Sequence, residues 1–304
     1  MNVSALTAAE LGRRLRGCGL SLRTGAFVAL VRSSVPSVAE GIGALYADFP
    51  LEENSDFADF HIGLEPPRDL RRWIYPQIVF DFDGHAPFKP LPFDQAFPMF
   101  EWGLNWCVSS HSHQYLIIHA AVMEKDGFAV IMPAPPGSGK STLCAALVNR
   151  GWRLLSDELA LIRKDDGQAV PLPRPVSLKN ASIEVIRNFE PTAFINRECR
   201  DTIKGTVAHM KPPRDAVLRA QETAKPGWVI FPRYRKDAAT VLQARPKGGT
   251  LMAVADNAFN YSLLGTAGFH MLADMIDACD CYDFTYSNLD QAIEVFAALQ
   301  PPAP

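Results

Sequence analysis

Between Ala134 and Glu158 the chain gathers residue types suited to phosphate chemistry. The segment APPGSGKST, Ala134–Thr142, places Gly137, Ser138 and Gly139 directly before Lys140, Ser141 and Thr142. Glycines there reach backbone angles that let successive N–H groups converge on an anion. A helix beginning near Lys140 adds its unpaired N–H groups and the positive end of its dipole. In such a loop Lys140 reaches the β- and γ-phosphates of a nucleotide, and the Ser141 hydroxyl ligates Mg²⁺.

Asp157 and Glu158 follow Lys140 by 17 and 18 residues. A helix over Ser141–Asn149 carries the chain roughly 14 Å from the loop. A strand over Trp152–Ser156 returns it by roughly 17 Å. The two acids are therefore expected at the level of the loop. One could accept a proton from an attacking hydroxyl and the other could hold Mg²⁺, and spacing leaves open which does which.

His119 joins them through strand register. Tyr115–Met123 and Phe128–Met132 are rich in apolar and β-branched residues and flank Asp126-Gly127, a hairpin signal. If Lys125 pairs with Phe128, His119 falls opposite Ala134, and a loop one residue earlier puts it opposite Met132; either way it lies beside the start of the glycine loop. Further cations are candidates for neutralising a transferring phosphoryl group: Arg174 and Lys179 around PVSL, Lys204 beside Gly205, and Arg233 with Arg235.

The elements that must position these residues read as mixed α/β. A capping box, Thr7 with Glu10, opens a helix carrying Leu11 and Leu15. Leu22–Arg32, Phe57–Leu64 and Ile74–Phe82 are strand-like, Val38–Phe49 is helical, and Phe100–Cys107 forms a helix with Trp102 and Trp106 on one face. Prolines 87, 90, 92 and 98, interleaved with aromatics, make a docked connector and set a boundary: 1–98 as an N-terminal α+β region, 99–304 as the catalytic domain. Asn257 and Asn260 read as caps, and Tyr282–Ala298 as a strand followed by an amphipathic helix.

Composition narrows the class. The 304 residues carry a net charge of −3, with 21% charged and 48% hydrophobic residues. That is ordinary for a globular protein and argues against a nucleic-acid binder working through a basic surface. The longest apolar runs are strand-sized, so no membrane span is expected. Six cysteines in a chain of this length are expected to be reduced, in a cytoplasmic protein, and Cys279–Cys281 lacks the partners of a zinc site.

The run His119–Ile162 resembles the HPr kinase/phosphorylase catalytic domain, and within that family the HPr-kinase-related kinases. The matching features are His119 on its strand, the loop glycines with Lys140 and Ser141, the Arg150-Gly151 step and the paired acids. The chain departs from the family at Ala134, where the family has glycine, and at Glu158, where it has Asp. RPVSLKNASIEV, Arg174–Val185, stands in place of the family's Glu-x-Arg-Gly-Leu-Gly signature. The resemblance implies the fold shared with phosphoenolpyruvate carboxykinase and ATP-dependent phosphorylation of a serine in a small protein. Asp157 would then be the acid/base, and Glu158 would support the metal.

Together these readings describe an α/β phosphate-loop (Walker A) kinase core of the HPr kinase/PEP carboxykinase type with the N-terminal region docked on it. Catalysis falls to Asp157, Lys140 and His119. ATP falls to Gly137–Thr142 with Arg174, Lys179 and Lys204, and Mg²⁺ to Ser141, Asp157 and Glu158. A protein or peptide is the expected acceptor. A small-molecule kinase and an ATP-binding regulatory module are the alternatives, and a homo-oligomer is left open. Neither an Asn-Lys-x-Asp motif nor a transporter-ATPase signature is present, which favours a phosphotransferase.

Overall fold

The computed structural model describes residues 1–52, 57–67 and 74–302. The N-terminal region opens on the helix Ala8–Arg16, whose capping box forms as expected. A five-stranded sheet follows, β1 (Leu20–Thr24), β2 (Phe27–Ser33), β3 (Phe60–Glu65), β4 (Gln77–Phe82) and β5 (Leu91–Pro92), in sequential order. The single strand expected over Leu22–Arg32 is a hairpin. Gly25 turns it at φ +57°, and a Cβ there would lie 2.2 Å from the Pro171 carbonyl oxygen. The expected strands 57–64 and 74–82 start later, at Phe60 and Gln77, and the helix expected over 38–49 spans Pro36–Leu45.

The helix Ala96–His111 runs through the 98/99 boundary, with Pro98 in its first turn, where no intrahelical N–H bond is lost. Phe97, Met99, Phe100, Leu104 and Val108 are buried in one cluster with Leu15, Leu22, Ile42, Phe80 and other N-terminal side chains. Trp106 packs edge-on against Phe82 and Phe88.

The largest sheet is mixed. It comprises β6 (Tyr115–Lys125), β7 (Phe128–Pro133), β8 (Arg153–Ser156), β9 (Leu159–Arg163), β10 (Ala169–Val170), β14 (Lys225–Tyr234), β15 (Val241–Ala244) and β16 (Asp280–Tyr286). Its order is β10-β9-β6-β7-β14-β16-β15, with β8 also on β6. β7, β14 and β16 are parallel neighbours, and the other pairings are antiparallel. The helices Lys247–Asp256 and Tyr261–Ala278 cover one face through Val254, Leu272, Met275 and Ile276. The helix Lys140–Val148 covers the other. A small sheet, β11 (Val176–Lys179), β13 (Gly205–Met210) and β12 (Cys199–Thr202), lies beyond that helix. Being sandwiched explains why Leu143 to Val148 is buried without a break.

Candidate active site

β7 delivers the chain into the loop Ala134–Gly139. The hairpin register is Lys125↔Phe128 through Ala120↔Pro133, which ends one pair short of the expected His119–Ala134 pairing. Gly137 and Gly139 hold φ of +85° and +91°, and Gly139 caps the helix Lys140–Val148. The loop is braced by two tyrosines that the sequence reading did not single out. The Tyr286 hydroxyl donates to Gly139 O at 2.9 Å, and Tyr234 N donates to Ser138 O at 2.8 Å. A Cβ on Gly139 would sit 2.4 Å from that hydroxyl.

The two acids arrive by a device periodicity does not reveal. β8 pairs with β6 as Glu124↔Arg153, Met123↔Leu154 and then Val122↔Ser156, so Leu155 is an extra residue. β9 continues that register with His119↔Leu159. Asp157 and Glu158 therefore interrupt one strand line rather than forming a turn after it. A bulge re-aims side chains, and in the shifted register Asp157 falls opposite Ala121, on the face that carries the Lys140 helix.

Asp157 is buried. Ser177 N donates to its Oδ2 at 3.1 Å, and its Oδ1 has no partner. Burial, and then the charge of Glu158, push its carboxyl up to about 6. Burial acts in the same direction on Glu158, but Lys179, Lys204 and Lys140 outweigh it and hold that carboxyl down at about 2. Lys179 Nζ lies 3.5 Å from Glu158 Oε1. Lys140 is 7% exposed, and its ammonium is buried without a partner, as is the Ser138 hydroxyl. His119 is half-buried, with its ring 5.8 Å from Phe259. Burial, followed by Lys140, lowers its imidazole to about 4.

Most of the expected residues meet. A cleft of about 470 Å³ is lined by His119, Gly137 through Thr142, Glu158, Lys179 and Ser177. Asp157 lies behind it, in a 20 Å³ cavity shared with Glu158 and Ser177. Arg174 does not face the cleft. It is buried with Glu101, donating to the carboxylate at 2.7 Å and to Glu101 O at 2.8 Å, and to Asn105 Oδ1 at 3.1 Å. Lys204 is exposed and sits 4.8 Å over the Trp102 ring, off the cleft wall. Asn260 is no side-chain cap. Its amide accepts from Ile117 N and donates to Tyr115 O, tying the Tyr261–Ala278 helix to β6.

The fold and cleft define a mixed α/β protein with a glycine loop, a buried lysine and paired carboxylates at one helix N-terminus. The family model described as "SynChlorMet cassette protein ScmC" matches residues 99–192, under a third of the chain. No match was found among curated proteins. One solved structure that matches is the Hpr(Ser) kinase/phosphatase from Coxiella burnetii, 14% identical over 60% of this chain and 91% of that one, at a TM-score of 0.28. Likeness at that score defines no fold, so the chemistry must be read from the site itself. Among the described residues no helix is long and apolar enough to cross a membrane. All six cysteines are free, and no cluster of three or more His, Cys, Asp or Glu forms a metal cage among the described residues.

Proposed function

We propose that the chain is an ATP-dependent kinase that transfers the γ-phosphoryl group to a hydroxyl, a serine of a protein or peptide. The observation that carries this reading is the set of buried polar atoms without partners at one helix N-terminus, Lys140 Nζ and Ser138 Oγ, and in the cavity behind it, Asp157 Oδ1. Buried polar groups are nearly always paired. A nucleotide triphosphate would pair the first two, and an acceptor hydroxyl or metal-bound ligand the third.

Lys140 and the loop amides hold the phosphates, with Ser141 and Thr142 at the helix start. Asp157 accepts the proton of the acceptor hydroxyl as its oxygen attacks the γ-phosphorus. A new P–O bond forms, the bridging P–O bond to ADP breaks, and ADP leaves with that electron pair. A carboxyl titrating near neutrality suits a base, whereas a binding module has no need of one. His119 stays neutral at physiological pH and can hydrogen-bond phosphate or acceptor without adding charge. Ser141 and Glu158 are the residues that would hold Mg²⁺, which when bound neutralises phosphate charge, and the free oxygen of Asp157 is left to the acceptor's proton.

Lys140→Ala tests the reading. It removes the buried cation of the loop, and losing a charge-assisted contact costs about 1.5–3 kcal/mol. Calorimetric titration with ATP should show that loss, and wild-type affinity in the variant would remove the phosphate-loop assignment.

A further inference from the structure

We propose that the ring of Tyr234 is a shelf on which the nucleobase stacks, so that the nucleotide is held by the face of its base and not read along the edge. This rests on the kinase reading above and adds a substrate class to it: purine nucleoside triphosphates, guanine and hypoxanthine being accepted alongside adenine.

Strand order sets the direction in which the nucleotide lies. β7 feeds the glycine loop. On one side of it stand β6 and β9, and Asp157 and Glu158 interrupt the strand line that pairs with β6. On the other side stand β14 and β16, whose last residues, Tyr234 and Tyr286, are register partners. The cleft of about 470 Å³ spans both sides of the loop. His119 and Glu158 line its acidic end, and Tyr234, Tyr286, Ser287 and Leu289 line the other. The transferring phosphoryl group belongs at the acidic end, where the carboxylates are. Phosphates laid along the loop then carry ribose and base towards β14 and β16. Strands lie about 4.8 Å apart, so the three steps from β9 to β14 span roughly 14 Å, room for an extended triphosphate.

Tyr234 is 49% exposed. Its ring meets Tyr286 edge to face, with centroids 5.7 Å apart, and such a contact covers at most one of its faces. Tyr286 is buried and stacked on Phe284, so it supports the shelf and is no shelf itself. The hydroxyls that could read a base edge at this end are engaged. Tyr286 donates to Gly139 O, and Ser287 donates to Ala238 O at 2.7 Å. Leu289 offers only apolar surface. Successive strand residues face opposite ways, and neither Arg233 nor Arg235 is on the cleft wall. An open aromatic face with no free edge reader selects by stacking, which tolerates any base because every base has a π-face. A site that hydrogen-bonds the edge instead rejects the wrong base strongly, because its own polar groups are left unpaired.

The test is calorimetric titration, with Mg²⁺ present, of ATP, GTP, ITP and inorganic tripolyphosphate. On wild type the three nucleotides should bind within about tenfold of one another, and a wider spread would mean edge reading and overturn the proposal. That comparison needs no variant to fold. Tyr234→Ala keeps the backbone N–H that braces Ser138 O and removes only the ring. It should weaken ATP and GTP by about fivefold or more while leaving tripolyphosphate within about twofold, and Tyr234→Phe should bind all four probes like wild type. Wild-type ATP affinity in Tyr234→Ala overturns the proposal. So does a loss that tripolyphosphate shares equally, because the ring would then be supporting the loop and not the base. Failure of wild type to bind tripolyphosphate and nucleotides alike would instead remove the phosphate-loop reading beneath it.

Discussion

Asp157 is a carboxylate that the fold makes reluctant to ionise. Its ordinary value is 3.8, and burial with Glu158 alongside moves it to about 6. Across that window the native state binds the proton more tightly than the unfolded chain does. Stability contributed by the group therefore falls as pH rises from 3.8 towards 6 and is level above. Asp157→Asn removes the buried charge, so its Tm relative to wild type should be higher near about pH 7 than near about pH 4. The same change removes the proposed base. Phosphoryl transfer should fall by about 10²–10⁴-fold while ATP affinity stays close to wild type. In wild type, transfer should rise with pH and reach half its plateau near 6, the value at which this carboxyl ionises. Equal Tm differences at both pH values, with an unchanged rate, would remove Asp157 from the centre of the chemistry. Glu158 behaves oppositely. Held near 2 by Lys179, Lys204 and Lys140, it contributes stability above its ordinary 4.5 that disappears only as pH falls through about 2.

At the scale of elements, local signals were legible in the sequence and long-range ones were not. The capping box, the Asp126-Gly127 hairpin and the glycine loop each depend on a few adjacent residues, and each forms. The bulge at Leu155 left no such signal, because an extra residue in a strand looks like ordinary alternation until its partner is known. The brace on the loop was hidden for a similar reason. Tyr234 and Tyr286 become neighbours only through the parallel pairing of β14 with β16. That brace makes Gly139→Ala a sharp test of the loop. The variant needs a positive φ and collides with the Tyr286 hydroxyl and with Tyr234 Cβ at 2.9 Å. ATP affinity should fall by an amount comparable to Lys140→Ala. Tyr286→Phe, which removes only the hydroxyl, should cost about 0.5–1.5 kcal/mol of stability. If Gly139→Ala bound ATP like wild type, the loop would not be the phosphate site. Arg174 shows the limit of reading charge along a chain. Its partner Glu101 lies 73 residues away, so a cation expected on phosphate instead belongs to a buried pair. Arg174→Ala strands the Glu101 carboxylate and should cost about 3–5 kcal/mol, measured by denaturant melts.

For the molecule as a whole, the Glu101–Arg174 pair marks where the N-terminal region and the proposed catalytic half meet. Glu101 also accepts from the Tyr46 hydroxyl at 2.7 Å, on the N-terminal side. Arg174 lies three residues before Ser177, whose amide fixes Asp157. A second link, Lys211 to Asp48 at 2.7 Å, spans the same junction. The apolar core crosses it too: Phe97, Met99, Phe100 and Leu104 are buried against N-terminal strands and helices. Each large side chain of that kind loses about 1.5–3 kcal/mol when returned to water. A fragment beginning at residue 99 would expose Met99, Phe100 and Leu104 together and lose Tyr46 from the ion-pair network. Residues 99–304 alone should therefore fail to give a soluble species with a cooperative melt, whereas the full chain should unfold in one transition. Adding residues 1–98 as a separate chain should restore only part of the melt, because most of the lost contacts are between packed surfaces while the cut severs the first turn of the helix Ala96–His111. A soluble 99–304 fragment that melts cooperatively and binds ATP as tightly as the full chain would show that the N-terminal region is an accessory. The position of Asp157 would then owe nothing to Tyr46.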